Sequence, residues 1–490
     1  MRKLEELEFD NTYARRLPDA FYSRVTPTAL TDLYLVSFNA AAAELIDLDP
    51  REFARPDFAE YFSGNKPFPK AEPLAMLYAG HQFGSYVPQL GDGRAILLGE
   101  VRNLRGEKWD LQLKGAGPTP YSRGFDGRAV LRSTIREYLC SEAMHGLNIP
   151  TTRALSIVGS DEKVYRESAE TAAVLLRMAP THIRFGTFEV FYYRNQHERV
   201  RQLADYVIEQ FFPSLIEAED RDQKFLTEVV ERTARLIAGW QAAGFAHGVM
   251  NTDNMSILGV TLDYGPFGFL DDYDAGFICN HSDYGGRYAF DQQPAIGFWN
   301  LACLAQTLTP FISHEAATAA LDAYQPAFAE HYGKMMRAKL GLREKRPDDA
   351  ELLLSLFEIL QSNQVDYAGF FRSLGDFKQG TGERNDAARD KFTDPLAFDE
   401  WAARYRERLL SEDSDDAERQ ARMNCVNPKY ILRNYLAQQA IDMAVEQRDY
   451  SEINRLLALL QHPFDEQPGM ERYADPPPSG GRKIVVSCSS

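Results

Sequence analysis

Apolar positions fall into two textures along the 490-residue chain. Between residues 83 and 179 they form short runs with a β-like rhythm. Runs 94–101 and 109–114 are separated by Asn103-Leu104-Arg105-Gly106, a turn signal, which predicts a hairpin. In the second run Trp109, Leu111 and Leu113 alternate with Asp110, Gln112 and Lys114, so Lys114 ends the polar face of a half-buried strand. A helix is predicted over 128–145, and two further runs, 154–158 and 172–178, flank a charged segment. From about residue 198 the spacing becomes helical, as in 200–212 and 225–243. A Gly/Asp-punctuated stretch, 247–286, interrupts the helices, which then continue to about residue 460.

The two ends read differently. Residues 1–82 mix turn signals at Pro18, Pro27 and Pro50 with an alanine-rich stretch, 33–46, that predicts a helix. Near the other end, Pro476-Pro477-Pro478-Ser479-Gly480-Gly481 predicts a flexible tail. The expected layout is an extension over 1–82, a strand-rich lobe over 83–185, a helical lobe over 186–464 and a tail over 465–490. That is an α+β, two-lobed pattern.

Composition narrows the partners. A formal charge of −17 and a pI near 5.1 make nucleic acid and anionic membrane poor general partners. The first residues are charged and no apolar run nears a membrane span, so neither a secretory signal nor a membrane helix is expected. The five cysteines are widely spaced and form no CxxC pair, which argues against a zinc site or a disulfide scaffold. A reducing, cytoplasmic setting follows as the expectation.

Candidate chemistry clusters in the middle of the chain. Gln89-Leu90-Gly91-Asp92-Gly93-Arg94 runs directly into a strand, and its glycines permit close backbone approach to a phosphate. Taken alone, it also fits a plain Asp-Gly hairpin. Lys114 on a strand and Glu137 on the next helix match the lysine and glutamate of kinases, although each alone could be a solvated charge. Between them, Tyr121-Ser122-Arg123-Gly124-Phe125-Asp126-Gly127-Arg128 opens a helix and is either an anion site or a plain loop. Arg177 and Arg184 flank Met178-Ala179-Pro180-Thr181, placed to clamp phosphate oxygens or to sit in surface ion pairs. The most specific pattern is His247-Gly248-Val249-Met250-Asn251-Thr252-Asp253-Asn254 followed by Asp263-Tyr264-Gly265. In kinases such a loop supplies a metal-binding asparagine, and the later triplet a metal-binding aspartate. Asn254 and Asp263 are those residues here, hard oxygen donors suited to Mg²⁺ or Mn²⁺.

At these residues the chain resembles the selenoprotein O family, also called YdiU, of kinase-like protein adenylyltransferases. The resemblance is carried by Ala79-Gly80-His81-Gln82-Phe83-Gly84, Gln112-Leu113-Lys114-Gly115-Ala116-Gly117 and the 247–254 loop, and it covers nearly the whole chain. It implies a protein-kinase-like fold, ATP bound in a flipped orientation, and AMP transfer to protein hydroxyls. By motif it assigns Gly91, Gly93, Arg94, Lys114, Glu137, Asp126, Gly127, Arg177 and Arg184 to the nucleotide. Asn254 and Asp263 go to the metal, and Asp253 is the proton acceptor.

The residues carry a separate hint of altered chemistry. In small-molecule kinases with a His-Gly-Asp loop, the base follows the glycine, five residues before the asparagine. Val249 stands there and cannot accept a proton. The nearest carboxylate is Asp253, four residues on, which would not reach the same hydroxyl in the same pose. Three readings remain open: AMP transfer to Ser, Thr or Tyr hydroxyls, with UMP from UTP as a variant; a conventional γ-phosphate kinase; and a silent nucleotide-binding scaffold. The family's eukaryotic members place selenocysteine near the C-terminus, which makes a Cys279–Cys488 disulfide a further expectation.

Overall fold

The structure is a computed structural model, and it describes residues 1–478, 484 and 486. Its N-terminal part is built on an antiparallel sheet. Seven strands follow the spatial order Tyr22–Arg24, Leu74–Met76, Ala95–Arg102, Lys108–Lys114, Ala169–Ala179, Arg153–Tyr165 and Tyr34–Phe38. A short eighth strand, Ala129–Val130, also pairs with Ala169–Ala179. The expected hairpin is present, with Arg102 opposite Lys108 and Ala95 opposite Lys114.

Alternation along Lys108–Lys114 separates two cores. Leu111 and Leu113 join Ile96, Leu98, Val174 and Leu176 on one face. On the other face, Leu97 and Leu175 pack with Ile135, Tyr138 and Leu139 of the helix Leu131–Gly146. Asp110 and Gln112 point to this second side and are buried there rather than solvated. Buried polar groups need partners, and these two find them in the site described below.

One predicted helix is a strand. Of 33–46, Tyr34–Phe38 pairs with Arg153–Tyr165, and only Ala40–Glu44 is helical. Tyr34, Leu35, Val36 and Phe38 suit a pleated surface, and a sheet edge was available to them. Asn39 marks the switch: its side chain accepts from Ala42 N and caps the short helix. Residues before 83 thus contribute three strands to the sheet. They also begin a separate hairpin, Gly80–Gln82 with Ser85–Val87.

The rest of the chain is helical. Arg221–Ala243 buries Phe225, Leu226, Val229, Val230, Ile237 and Trp240 along one side and ends at Gly244, whose φ is +69°. Asp349–Asn363, Tyr367–Leu374 and Pro395–Leu410 enclose a further core around Leu356, Phe370, Trp401 and Tyr405. The segment after residue 464 begins packed: Tyr473 is buried and its hydroxyl donates to Glu452 Oε1 at 2.7 Å. No helix among the described residues is long and apolar enough to cross a membrane. Strand-rich and helical parts together give the α+β, kinase-like architecture, and the site lies where they meet.

Candidate functional site

A cavity of about 650 Å³ is lined by Gly91, Gly93, Arg94, Lys114, Asp126 and Gly127, among others, from the sheet side. Arg177, Val249, Asp253, Asn254 and Asp263 line it as well. Glu137 and Arg184 stand just behind this wall.

The glycine loop is shaped by contact. Gly91 has φ +84°, and a Cβ there would meet the Tyr121 ring at 2.6 Å. A Cβ on Gly93 would meet Tyr121 O at 2.9 Å. The residue between them, Asp92, is the anchor. Its Oδ2 accepts from Met76 N at 3.1 Å and from Gln112 Nε2 at 3.2 Å, beneath the sheet surface. Burial pushes its carboxyl up. Arg94 is exposed at the rim, and its carbonyl accepts from Gly115 N at 2.7 Å. Gly127 is held at φ +65°, tight against Gly117. Asp126 is committed to Arg166, at 2.8 and 2.9 Å.

Behind the loop, three cations converge on two carboxylates. Lys114 Nζ donates to Glu137 Oε2 at 2.5 Å and to Asp263 Oδ1 at 3.5 Å. Strand register puts Arg177 opposite Gln112, and its Nε donates to Gln112 Oε1 at 2.8 Å. The same guanidinium donates to Glu137 Oε1 at 2.8 Å and pairs with Asp263 Oδ1. Arg184 reaches Asp263 Oδ2 at 2.6 Å and the carbonyl of Asp253 at 2.8 Å. Arg184 also lies 4.4 Å from the Tyr78 ring centroid. Burial alone would raise the Asp263 carboxyl, but Arg177, Arg184 and Lys114 outweigh it and hold it well below the ordinary range. Glu137 is likewise lowered against its burial, by Lys114 and Arg177. Burial pulls Lys114 down, with Glu137 and Asp263 opposing. Three positive groups therefore face two ionised carboxylates, and this surplus favours an incoming polyphosphate.

The 247–254 loop closes the cavity from below. Thr252–Asn254 forms a single 3-10 turn, and Asn254 Nδ2 donates to Val249 O at 3.0 Å. Asp253 is 7% exposed, and burial pushes its carboxyl up to about 7. Its Oδ2 accepts from Gln82 Nε2 at 3.3 Å, and its Oδ1 has no partner among the described residues.

The 80–87 hairpin clamps this loop from above. His81 N donates to Thr252 Oγ1 at 2.7 Å, and Phe83 N donates to Asn251 Oδ1 at 3.3 Å and to Tyr288 OH at 2.9 Å. Glu189, buried on the helix Phe185–Tyr192, joins both sides: Oε2 accepts from Thr252 Oγ1 at 2.5 Å, and Oε1 lies 2.6 Å from His81 Nδ1. Gly186 on that helix has no room for a side chain, because a Cβ would strike Ala79 O.

The model of the family described as "Protein adenylyltransferase SelO" matches residues 3–461. The chain is 62% identical over 490 residues, the whole of both chains, to the protein nucleotidyltransferase YdiU of Myxococcus xanthus. It is 58% identical to that of Thiobacillus denitrificans and 57% to that of Thioalkalivibrio sulfidiphilus, again over full length. The chain belongs to the SelO family.

As a SelO-family protein adenylyltransferase it acts on proteins, with ATP as co-substrate and a divalent metal. The site fits such a metal. Asn254 Oδ1 and the Asp263 carboxylate are hard oxygen donors on the wall of one cavity, and Asp253 Oδ1 is a buried oxygen without a partner beside them. The structure brings Lys114, Glu137, Arg177, Arg184 and Asp263 into one network and sets Asp253 and Asn254 against it. Asp126, by contrast, sits in a separate ion pair at the mouth. Sequence reasoning missed Asp92, Gln82 and Glu189. Asp92 lay in full view inside the glycine motif, whereas Gln82 and Glu189 gain their roles only through contacts with residues 251–253. Cys279 is buried, its thiol donating to Ala246 O at 3.5 Å; its expected partner, Cys488, lies outside the described residues.

Proposed function

We propose that this chain transfers AMP from ATP to Ser, Thr or Tyr hydroxyls of proteins, with the γ-phosphate turned inward. The observation that carries this reading is the position of the base. Val249, which cannot take a proton, lines the cavity wall, while Asp253, beside Asn254, keeps one carboxylate oxygen, Oδ1, without a partner among the described residues. Lys114, Arg177 and Arg184 form the deepest cationic surface and take the β- and γ-phosphates. Gly91, Gly93 and Arg94 pass over the triphosphate, and Gly127 lets the chain approach it closely. Asn254 and Asp263 hold Mg²⁺ or Mn²⁺, which when bound neutralises charge on the phosphate oxygens.

The acceptor oxygen attacks the α-phosphorus and its proton passes to Asp253 Oδ1. A new O–P bond forms, the bond between the α-phosphorus and the α–β bridging oxygen breaks, and pyrophosphate leaves. Catalysis is mostly positioning and charge neutralisation. UTP is a second donor in this reading, the setting is cytoplasmic, and a charge of −17 supports protein rather than nucleic-acid partners. Domain limits near 185 and 464 belong to the same proposal, with the strands before residue 83 counted in the strand-rich lobe whose sheet they join.

Label retention tests it. The protein is incubated with candidate acceptor proteins, Mg²⁺ or Mn²⁺, and ATP labelled at the α- or the γ-phosphate. Retained α-label with no γ-label is expected, with chelation abolishing transfer and either metal restoring it. Retained γ-label would establish a kinase instead, and ATP binding without transfer would leave a scaffold.

A further inference from the structure

The inner wall of the cavity is polar and cationic; its mouth adds two aromatic rings to charged side chains. Two large rings line that mouth nearly bare, Phe125 at 71% exposure and Tyr165 at 77%. Single exposed aromatics are ordinary, but these two share a frame. Phe125 ends a turn in which Arg123 (φ +52°) and Gly124 (φ +83°) reverse the chain and Phe125 N donates to Ser122 O at 2.9 Å. Ser122 Oγ donates to the carbonyl of Gly93, which ties this turn to the glycine loop. The residue after Phe125 is Asp126, and the residue after Tyr165 is Arg166. Those two form the bidentate pair at the mouth, and Arg166 also donates to Tyr165 O at 2.9 Å. One ion pair therefore ties together the two segments that carry these rings on the same rim.

The frame also uses up the polar group best able to read a base edge. Asp126 Oδ1 accepts from Arg166 and from Arg128 N at 2.9 Å, and Oδ2 accepts from Arg166. Beside the exposed Arg94 and Arg123, the mouth offers a base the π-surface of these rings, which every base can use.

We infer that Phe125 and Tyr165 form a stacking platform that holds the nucleobase by its face and leaves its identity unread. The inference rests on nucleotide binding in this cavity. It deepens that reading by assigning Asp126 to the nucleotide through the frame rather than through direct contact. It also predicts the donor range: the larger purine face binds ATP more tightly than UTP, and both are used.

The test is calorimetric binding of Mg-ATP, Mg-UTP and inorganic tripolyphosphate to the full chain. Wild type is compared with Phe125→Ala, Tyr165→Ala, the double variant and Phe125→Trp. Each alanine should weaken ATP by about tenfold, UTP by less and tripolyphosphate not at all, with Phe125→Trp restoring ATP affinity. Unchanged ATP affinity in the double variant overturns the platform alone. So does an equal loss for tripolyphosphate, which would make the rings part of the loop's folding. Loss of protein labelling with ATP affinity intact would assign the rings to the acceptor protein and overturn the platform as well. Failure of the wild type to bind either ATP or tripolyphosphate overturns the nucleotide site and the inference together.

Discussion

Gly80→Ala places one methyl group against the proposed proton acceptor. A Cβ at Gly80 would lie 2.5 Å from Asp253 Oδ1, 2.9 Å from its Cβ and 3.0 Å from its Cγ. Gly80 is not in the left-handed region, so its backbone accepts alanine without strain. Ordinary contact begins near 3.4 Å, so Oδ1 must retreat by about 0.9 Å. A misplacement of about 1 Å at a reacting group costs on the order of 100-fold in rate. Overpacking should cost about 1–3 kcal/mol of stability, which a chain this size tolerates. The phosphate-binding cations sit on other elements, so ATP affinity should stay within about twofold of wild type.

The assay is transfer of α-labelled ATP to an acceptor protein at saturating nucleotide, with calorimetric ATP binding and thermal melting as controls. The decisive comparison is a double-mutant cycle with Asp253→Asn, which removes the acceptor while keeping its shape. In that background Gly80→Ala should add little further loss, because the methyl then displaces a group that no longer takes the proton. Two results would refute the reasoning: wild-type transfer by folded Gly80→Ala protein, or a second 100-fold loss in the Asp253→Asn background.

Other substitutions probe the same network. Asp263→Ala removes a proposed metal ligand and leaves Arg177, Arg184 and Lys114 short of a buried partner. It should abolish transfer and cost about 3–5 kcal/mol; Asp263→Asn keeps the volume, and measurable transfer by both would refute the metal role. Val249→Asp restores a carboxylate at the kinase base position; with the γ-phosphate inward it should create no γ-label transfer, and the appearance of such label would refute that pose. Asp110 tests burial electrostatics. Burial raises its carboxyl to about 7, against Lys108 and the backbone bond from His182, with Glu100 also near. Burial holds His182 near 3, so it stays neutral throughout the window. The folded value of Asp110 lies above the unfolded one, so its contribution is present in acid and is lost as pH rises toward and through about 7. Relative to Asp110→Asn, wild-type unfolding free energy should fall on the order of a few kcal/mol between pH 4 and 8. Parallel stability curves would falsify the assignment.

What the sequence reveals of this site depends on how far each residue must reach. Lys114 and Glu137 were readable because a strand face and a following helix are local patterns, and the contact between them follows from kinase-like order. Asp263 was readable through its triplet. The spacing also names Val249, which lines the same cavity. Gln82 and Gly80 were not: their partner, Asp253, lies 171 residues away for Gln82, and nothing local predicts that pairing. The stretch 33–46 differs from its predicted helix for a related reason, because the strand Arg153–Tyr165 that captures Tyr34–Phe38 at the sheet edge comes more than a hundred residues later.

These long-range pieces share one purpose, and it bears on how the loop works. His81 N and Phe83 N from the hairpin, and Glu189 from the helix Phe185–Tyr192, hold Asn251 and Thr252, while Gln82 touches Asp253 and Arg184 donates to its carbonyl. Asp253 is therefore bracketed by bonds to its neighbours and itself, yet one carboxylate oxygen is left without a partner among the described residues. A buried carboxylate kept rigid and incompletely satisfied is costly to maintain. The bonds instead fix the backbone and spare Oδ1, which is the arrangement a proton acceptor requires and a purely structural aspartate does not.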